Sequence, residues 1–225
     1  MNSGNNIVRR ALSLPLLQSE TLSSKNVFMN FLAHSYLSFG EPNILVGNMI
    51  SDFVKGRKKF GYSNEIQNGI QLHRDIDTFT DTHDTTREAK LFLKPAVGLY
   101  AGAFLDVAYD HFLANDPLQF TETTLSEHSS ATYNILRDHN NILPDKFQQM
   151  LPFMISQNWL FHYKDIAGIR NSFAGVARRA AYIDSSVQVF DLFIEHYTSL
   201  RKCYNEFFPH LKWYSLNRFE HLLNE

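Results

Sequence analysis

With one cysteine in its 225 residues, Cys203, the chain has nothing from which to build a disulfide framework or a CxxC zinc or redox site. So few thiols suit a reducing compartment, and Cys203 itself reads as a buried helix residue. Charge of one sign is also lacking. The 21 basic and 23 acidic residues leave a formal net charge of -2, so no global basic field draws nucleic acid by counterion release. Long hydrophobic runs are missing too, because Asn48 and Asp52 interrupt the most apolar early segment. No run approaches the roughly 18 residues a bilayer requires, so no membrane partner is expected and the chain reads as cytoplasmic. There is no GxxxxGK[ST], GxGxxG, GxSxG or HExxH, which argues against an NTPase, a Rossmann enzyme, an α/β-hydrolase and a zincin. Glu-x-x-His pairs, the mark of a four-helix di-iron protein, do not occur either.

What is present is ordinary for a globular chain, at 44% hydrophobic and 20% charged residues, and the length favours one domain. Nineteen Phe and ten Tyr point to a core of large rings. The first 28 residues are rich in Ser and Asn, carry Arg9 and Arg10, and hold one short apolar patch from Ala11 to Leu17. They read as a disordered tail, and a passive extension from an upstream start codon would explain them. From Met29 the periodicity is helical almost throughout, with no strict alternation between turn signals. The pattern predicts an all-α, single compact multi-helix bundle over residues 29–225. Its helices are expected at 30–39, 42–55, 64–81, 85–93, 95–114, 123–138, 144–161, 165–182 and 185–208, with a short one after Pro209. Pro42 and Pro95 suit first helical turns, and Ser63 reads as an N-cap.

Certain polar residues fall where apolar ones are expected. Ile66, Ile70, His73 and Asp77 follow spacings of four, three and four, so His73 and Asp77 continue a core-facing stripe. Leu99, Ala103, Asp106, Asp110 and Leu113 do the same at four, three, four and three. Asp52 shares a face with Leu45, Asn48 and Met49, and His34 follows Phe31 by three. Several buried carboxylates cannot face one core without compensating cations, since each unpaired one costs several kcal/mol. A divalent metal held by imidazole and carboxylate supplies that charge, and His with Asp at i and i+4 offers two ligands from one helix face. The alternative is that Arg74, Arg87 or Lys90 pairs with these acids.

Four segments carry a family resemblance: MNFLAHSYLSF from Met29, LVGNMISDFVKGR ending at Arg57, GIQLHRDIDTFTDTH from Gly69, and LDVAYDHFL from Leu105. In this order they resemble the bacterial acyl carrier protein phosphodiesterase family, and the likeness continues more loosely through QNWLFHYKD and GVARR to about Phe208. The resemblance implies hydrolysis of the phosphodiester joining 4'-phosphopantetheine to a serine of holo-acyl carrier protein, with Mn2+ or Mg2+. It also implies distant kinship with HD-domain phosphohydrolases, which bind metals through His, a His-Asp pair and a further Asp. Here the candidates are His73-x-x-x-Asp77, the reversed Asp110-His111 and His83-Asp84 at a helix end, so the HD-type roles stay open. The metal ligands are expected among His34, Asp52, His73, Asp77, Asp106 and Asp110, with His111 or His83 as general acid and Arg74 on the phosphate. Lys55, Arg57, Lys58 and Lys59, or Arg178 and Arg179, form candidate docking patches for an acidic carrier. A phosphohydrolase acting on a nucleotide or other small phosphodiester, and a carrier-binding helical protein without activity, are the rival readings.

Overall fold

A computed structural model describes residues 31–180 and 186–224. The expected tail over residues 1–28 and the expected helix end at Tyr182 lie outside them. Among the described residues the protein is all-α, with eleven α-helices, four short 3-10 segments and no strand. The first five α-helices shape the site: α1 (Phe31–Tyr36), α2 (Pro42–Ile50), α3 (Asn64–Thr82), α4 (Asp84–Val97) and α5 (Ala101–Ala114). The remainder are α6 (Glu122–Asp138), α7 (Asp145–Ser156), α8 (Trp159–His162), α9 (Ile166–Arg179), α10 (Ser186–Glu195) and α11 (Tyr197–Leu223). One core joins them, filled by rings such as Phe104, Phe112, Phe173 and Phe193, which meet edge-to-face or tilted.

Local signals explain several boundaries. Ser63 caps α3 by accepting from the Ile66 amide, as expected. Phe39 and Gly40 both take positive φ, 50° and 80°, and turn the chain between α1 and α2. Pro42 opens α2 as expected, but two other prolines differ from expectation. Pro95 and Pro209 sit inside α4 and α11 rather than starting helices. An interior proline costs about 3 kcal/mol, and around Pro209 the burial of Phe207, Phe208 and Leu211 on one helix outweighs it. The break falls instead at Gly98, with φ 55° and ψ −122°, so α5 begins at Ala101. Left-handed Asn158 likewise divides the helix expected over 144–161, and the one expected from residue 185 to 208 breaks at His196. The stretch Asp84–Ala114 is, by length and composition, apolar enough to cross a membrane, a run the sequence reading did not expect. It is folded at Gly98 into α4 and α5, with 3-10 residues Gly98–Tyr100 between them.

α2 crosses tightly on α3. Gly47 lies against the Ile66 carbonyl, and a Cβ at either Gly47 or Gly69 would come within 3 Å of the other glycine's Cα. Real Cβ atoms do not tolerate such contacts, so this crossing requires both glycines. It sets Asn48 of α2 directly over His73 of α3.

Candidate metal centre

Three helices and one turn meet at the centre. α1 is anchored by Asp110 of α5, which is fully buried and accepts from the Leu32 amide at 3.0 Å and the Ala33 amide at 2.8 Å. These are orphan amides of the first helical turn, so the carboxylate works as a capping group supplied from another helix. Burial pushes Asp110 up to about 8, against the pull of those two amides. The next residue along α1, His34, is 2% exposed. Its Nδ1 lies 2.7 Å from Asn48 Oδ1, while Asn48 Nδ2 donates to the His34 carbonyl at 2.9 Å and to Ser38 Oγ at 3.1 Å. With both amide hydrogens donated, Oδ1 can only accept, so His34 carries its proton on Nδ1. His73 is 5% exposed and places Nδ1 2.7 Å from the Asn48 backbone carbonyl, which fixes the same tautomer.

Both histidines therefore aim their Nε2 atoms into one place. Neither Nε2 has a hydrogen-bond donor in reach, and the rings stack with centroids 3.9 Å apart at 16°. Asp77, one turn beyond His73 on α3, brings Oδ1 to 3.3 Å from His34 Nε2 and Oδ2 to 3.2 Å from His73 Nε2. Asp52 adds Oδ1 at 3.4 Å from His73 Nε2. It stands on the 3-10 turn Ser51–Phe53, because α2 ends at Ile50 and not at Lys55 as expected. Potential donor atoms of His34, His73 and Asp77 all lie within 4.8 Å of one another.

The electrostatics describe a site built around a cation. Burial opposes charge on His73, but Asp77 and Asp52 outweigh it and raise the imidazole to about 10. Burial also opposes ionisation of Asp77, yet His73 and His34 hold its carboxyl far below the usual range. Its side chain keeps 48% of its surface open on one side while the carboxylate rests against the two rings. His34 is lowered by burial and then by His73. Asp106 is driven well above the ordinary value by burial and next by Asp77, only partly offset by Lys90. In the metal-free protein the two carboxylates favour a proton on His73, the same preference for positive charge that a divalent ion would satisfy on binding to the two Nε2 atoms and Asp77 in its place. The donor set fits such an ion.

Asp52, His73 and Asp77 lie on the floor of an open cleft of about 790 Å³, lined also by Asp106, Lys55, Arg74, Lys90 and Asp81, while His34 is not among its lining residues. Of the six expected ligands, His34, His73 and Asp77 come together, Asp52 joins them, Asp106 lines the same cleft, and Asp110 is spent on α1. No Lys or Arg forms an ion pair with any of these acids among the described residues: Lys90 pairs with Asp81, Arg87 with Asp84, and Arg74 donates to the Val54 carbonyl. Arg57 does not line the cleft, Arg178 lines a separate cavity beside α8 and α9, and the Arg179 side chain lies outside the described atoms. His111 is held between the Tyr163 carbonyl and Tyr197 Oη, at 2.7 and 2.9 Å, and His83 lies 3.2 Å from His210; neither lines the cleft. The sequence reading missed Asn48, which orients both histidines. Its signal was an amide on an inward stripe, which must find partners for every donor and acceptor.

Residues 29–211 match the family model described as acyl carrier protein phosphodiesterase. The chain belongs to the acyl carrier protein phosphodiesterase family. A relative of that name from Photorhabdus laumondii is 32% identical over 184 residues, covering 81% of this chain and 93% of the relative. Those from Yersinia pestis and Enterobacter sp. strain 638 are 31% and 30% identical, over 80% and 84% of this chain and 94% and 99% of their own. No solved structure matches. His34, Asp52, His73, Asp77 and Asp106 all fall within the segment shared with the acyl carrier protein phosphodiesterases.

Proposed function

We propose that the chain hydrolyses the phosphodiester between 4'-phosphopantetheine and a carrier-protein serine, giving apo carrier protein and free 4'-phosphopantetheine. The observation that carries the reading is the pair of buried, orphaned Nε2 atoms facing Asp77 and Asp52 on a cleft floor, inside the part of the chain that defines the family. His34, His73 and Asp77 would hold a divalent cation, with Asp52 and Asp106 beside it. Two imidazoles next to carboxylates suit Mn2+ better than Mg2+, which takes oxygen ligands and keeps its waters. A bound cation supplies Lewis-acid activation of water and neutralises phosphate charge. The protein does the rest. Asn48 holds both rings through Nδ1 and so aims both Nε2 atoms at the site, which leaves little reorganisation to the reaction. Arg74 spends one N–H on the Val54 carbonyl and has further N–H groups for the phosphate oxygens, where Lys55 adds a second positive charge. Lys90 lies across Gly102 and faces Asp106, which limits repulsion between the acidic floor and the anionic ester. Water oxygen ends on phosphorus, the P–O bond to serine breaks, and the serine oxygen takes a proton. His111 and His83 stand outside the cleft, and the proposal gives them no step.

The test is intact-mass spectrometry of a holo carrier protein incubated with the purified chain, with Mn2+ and with chelator. Loss of the phosphopantetheine mass only with metal supports the reading. An unchanged carrier under both conditions, beside turnover of a nucleotide phosphodiester, would transfer the function to the small-substrate rival. A chain that binds the carrier and turns over neither substrate would leave the non-catalytic rival.

A further inference from the structure

One lip of the cleft combines features that phosphodiester chemistry alone does not require. Arg87, Lys90, Leu91 and Lys94 follow one another at i, i+3, i+4 and i+7 along α4, and all four line the cleft. They form one stripe of that helix. Leu91 is 61% exposed, and Leu99, on the corner after Gly98, is 90% exposed. The positive φ at Gly98 ends α4 and hands the chain to the short 3-10 turn on which Leu99 stands out. Lys94 has no acidic partner among the described residues, while Arg87 and Lys90 pair only with exposed carboxylates. Lys55 also lines the cleft, and it too has no acidic partner among the described residues. Two leucines set among cations at the mouth of an acid-floored cleft are costly for an isolated protein to present to water and suit a complementary surface.

We propose that the α4 lip, centred on Leu91, Lys94 and Leu99, is the docking surface for the folded protein that carries the ester. This rests on the function proposed above. The partner surface it fits is acidic, with an apolar side chain near the modified serine to cover Leu91 and Leu99. The geometry explains how a serine on a folded protein reaches the cleft floor: its surface must seat on the lip, and charge complementarity aligns it. Such complementarity acts mainly on encounter and is screened by salt beyond about 10 Å at 0.1 M. The more obvious basic segment, Arg57 to Lys59, lies outside the cleft lining; here it serves as the competing arm.

The experiment measures Kd for the apo carrier, which has no ester to bind on the floor, and KM and kcat for the holo carrier. It uses the full chain loaded with Mn2+, at low and moderate salt. Lys94→Glu, and separately the double variant Leu91→Ser with Leu99→Ser, should each raise Kd and KM by about tenfold at low salt while saturating kcat stays at the wild-type value. The Lys94→Glu effect should shrink with salt and the leucine effect should not. Unchanged Kd in both variants overturns the docking surface, as does a larger effect from Arg57→Glu with Lys58→Glu. A fall in kcat at unchanged Kd also overturns it, since Lys94 would then act on the ester. If the wild-type chain leaves holo carrier intact, it is the proposed function that fails. Wild-type turnover with unaltered variants removes the docking surface alone.

Discussion

Asn48→Ala isolates the contribution of ligand orientation from that of the ligands themselves. The substitution deletes three contacts: the acceptor for His34 Nδ1 at 2.7 Å, the donor to the His34 carbonyl at 2.9 Å and the donor to Ser38 Oγ at 3.1 Å. The main-chain carbonyl that fixes His73 survives, so His73 keeps its tautomer and only His34 is released. His34 can then carry its proton on Nε2, the atom that should bind metal, and its ring can turn within the space the amide leaves. Losing such an outer partner typically costs ten- to a hundredfold in metal affinity, or about 1.4–2.8 kcal/mol at about 1.4 kcal/mol per tenfold. Stranding the buried His34 Nδ1 adds about 1–3 kcal/mol of destabilisation in the metal-free protein. Calorimetric titration with Mn2+ gives the first quantity, and urea unfolding in chelator gives the second. Asn48→Asp keeps an acceptor for His34 Nδ1 and should restore most of the affinity, whereas Asn48→Leu, of similar size but without an acceptor, should not; a packing role alone predicts rescue by both. Wild-type Mn2+ affinity in a folded Asn48→Ala variant would refute the assignment of Asn48 as the residue that presets His34.

Further outcomes follow from other parts of the molecule. Asp77→Asn should remove Mn2+ binding and turnover and also lower the chelated protein's melting temperature at neutral pH, because it deletes the carboxylate that holds His73 protonated, whereas Asp110→Asn, which can accept only one of the two α1 amides through oxygen, should destabilise by about 1–3 kcal/mol with Mn2+ still bound; calorimetry and thermal melts read both, and Mn2+ binding retained by Asp77→Asn but lost in Asp110→Asn would exchange their roles. Gly69→Ala drives a methyl into the Ile44 carbonyl, so overpacking should cost about 1–3 kcal/mol in denaturant melts and weaken Mn2+ binding as Asn48 moves off His73. His128 is half-buried with Nε2 2.9 Å from Ser35 Oγ, and that burial lowers it to about 4. The unfolded chain, near its ordinary value of 6.5, takes the proton first, so stability is full above about pH 6.5 and falls by about 3 kcal/mol towards pH 4. His128→Gln should flatten that part of the pH–stability curve, and an unchanged slope in urea melts would remove His128 as its source. Deleting residues 1–28, which precede the family match starting at residue 29, should leave turnover and melting temperature nearly unchanged, with a collapse of either counting against that boundary.

The sequence by itself determined the helical class, because the 3.6-residue period is imposed by each segment's own backbone and needs no partner. It determined for the same reason that His73 and Asp77 share a face of α3, since a spacing of four places two side chains one turn apart wherever the helix is put. His34 and Asp52 were legible as polar residues at inward positions, and the family segments were legible as strings. The breaks were not. Pro95 read as a helix start and Pro209 as a break before a short last helix, and only the packing around them shows that the helices run through. Nor could spacing divide the carboxylate pool: Asp106 and Asp110 are one turn apart on α5, yet one lines the cleft and the other caps α1. That division depends on where α1 lies, which is fixed by contacts between residues 77 and 78 positions apart. Asn48 is the same case, because its importance comes from the α2–α3 crossing at Gly47 and Gly69, and a tautomer is set by whichever atom packs against the ring's other nitrogen. Local periodicity assigns a side chain to a face, whereas the choice between ligand, cap and orienting partner belongs to the helices that meet it.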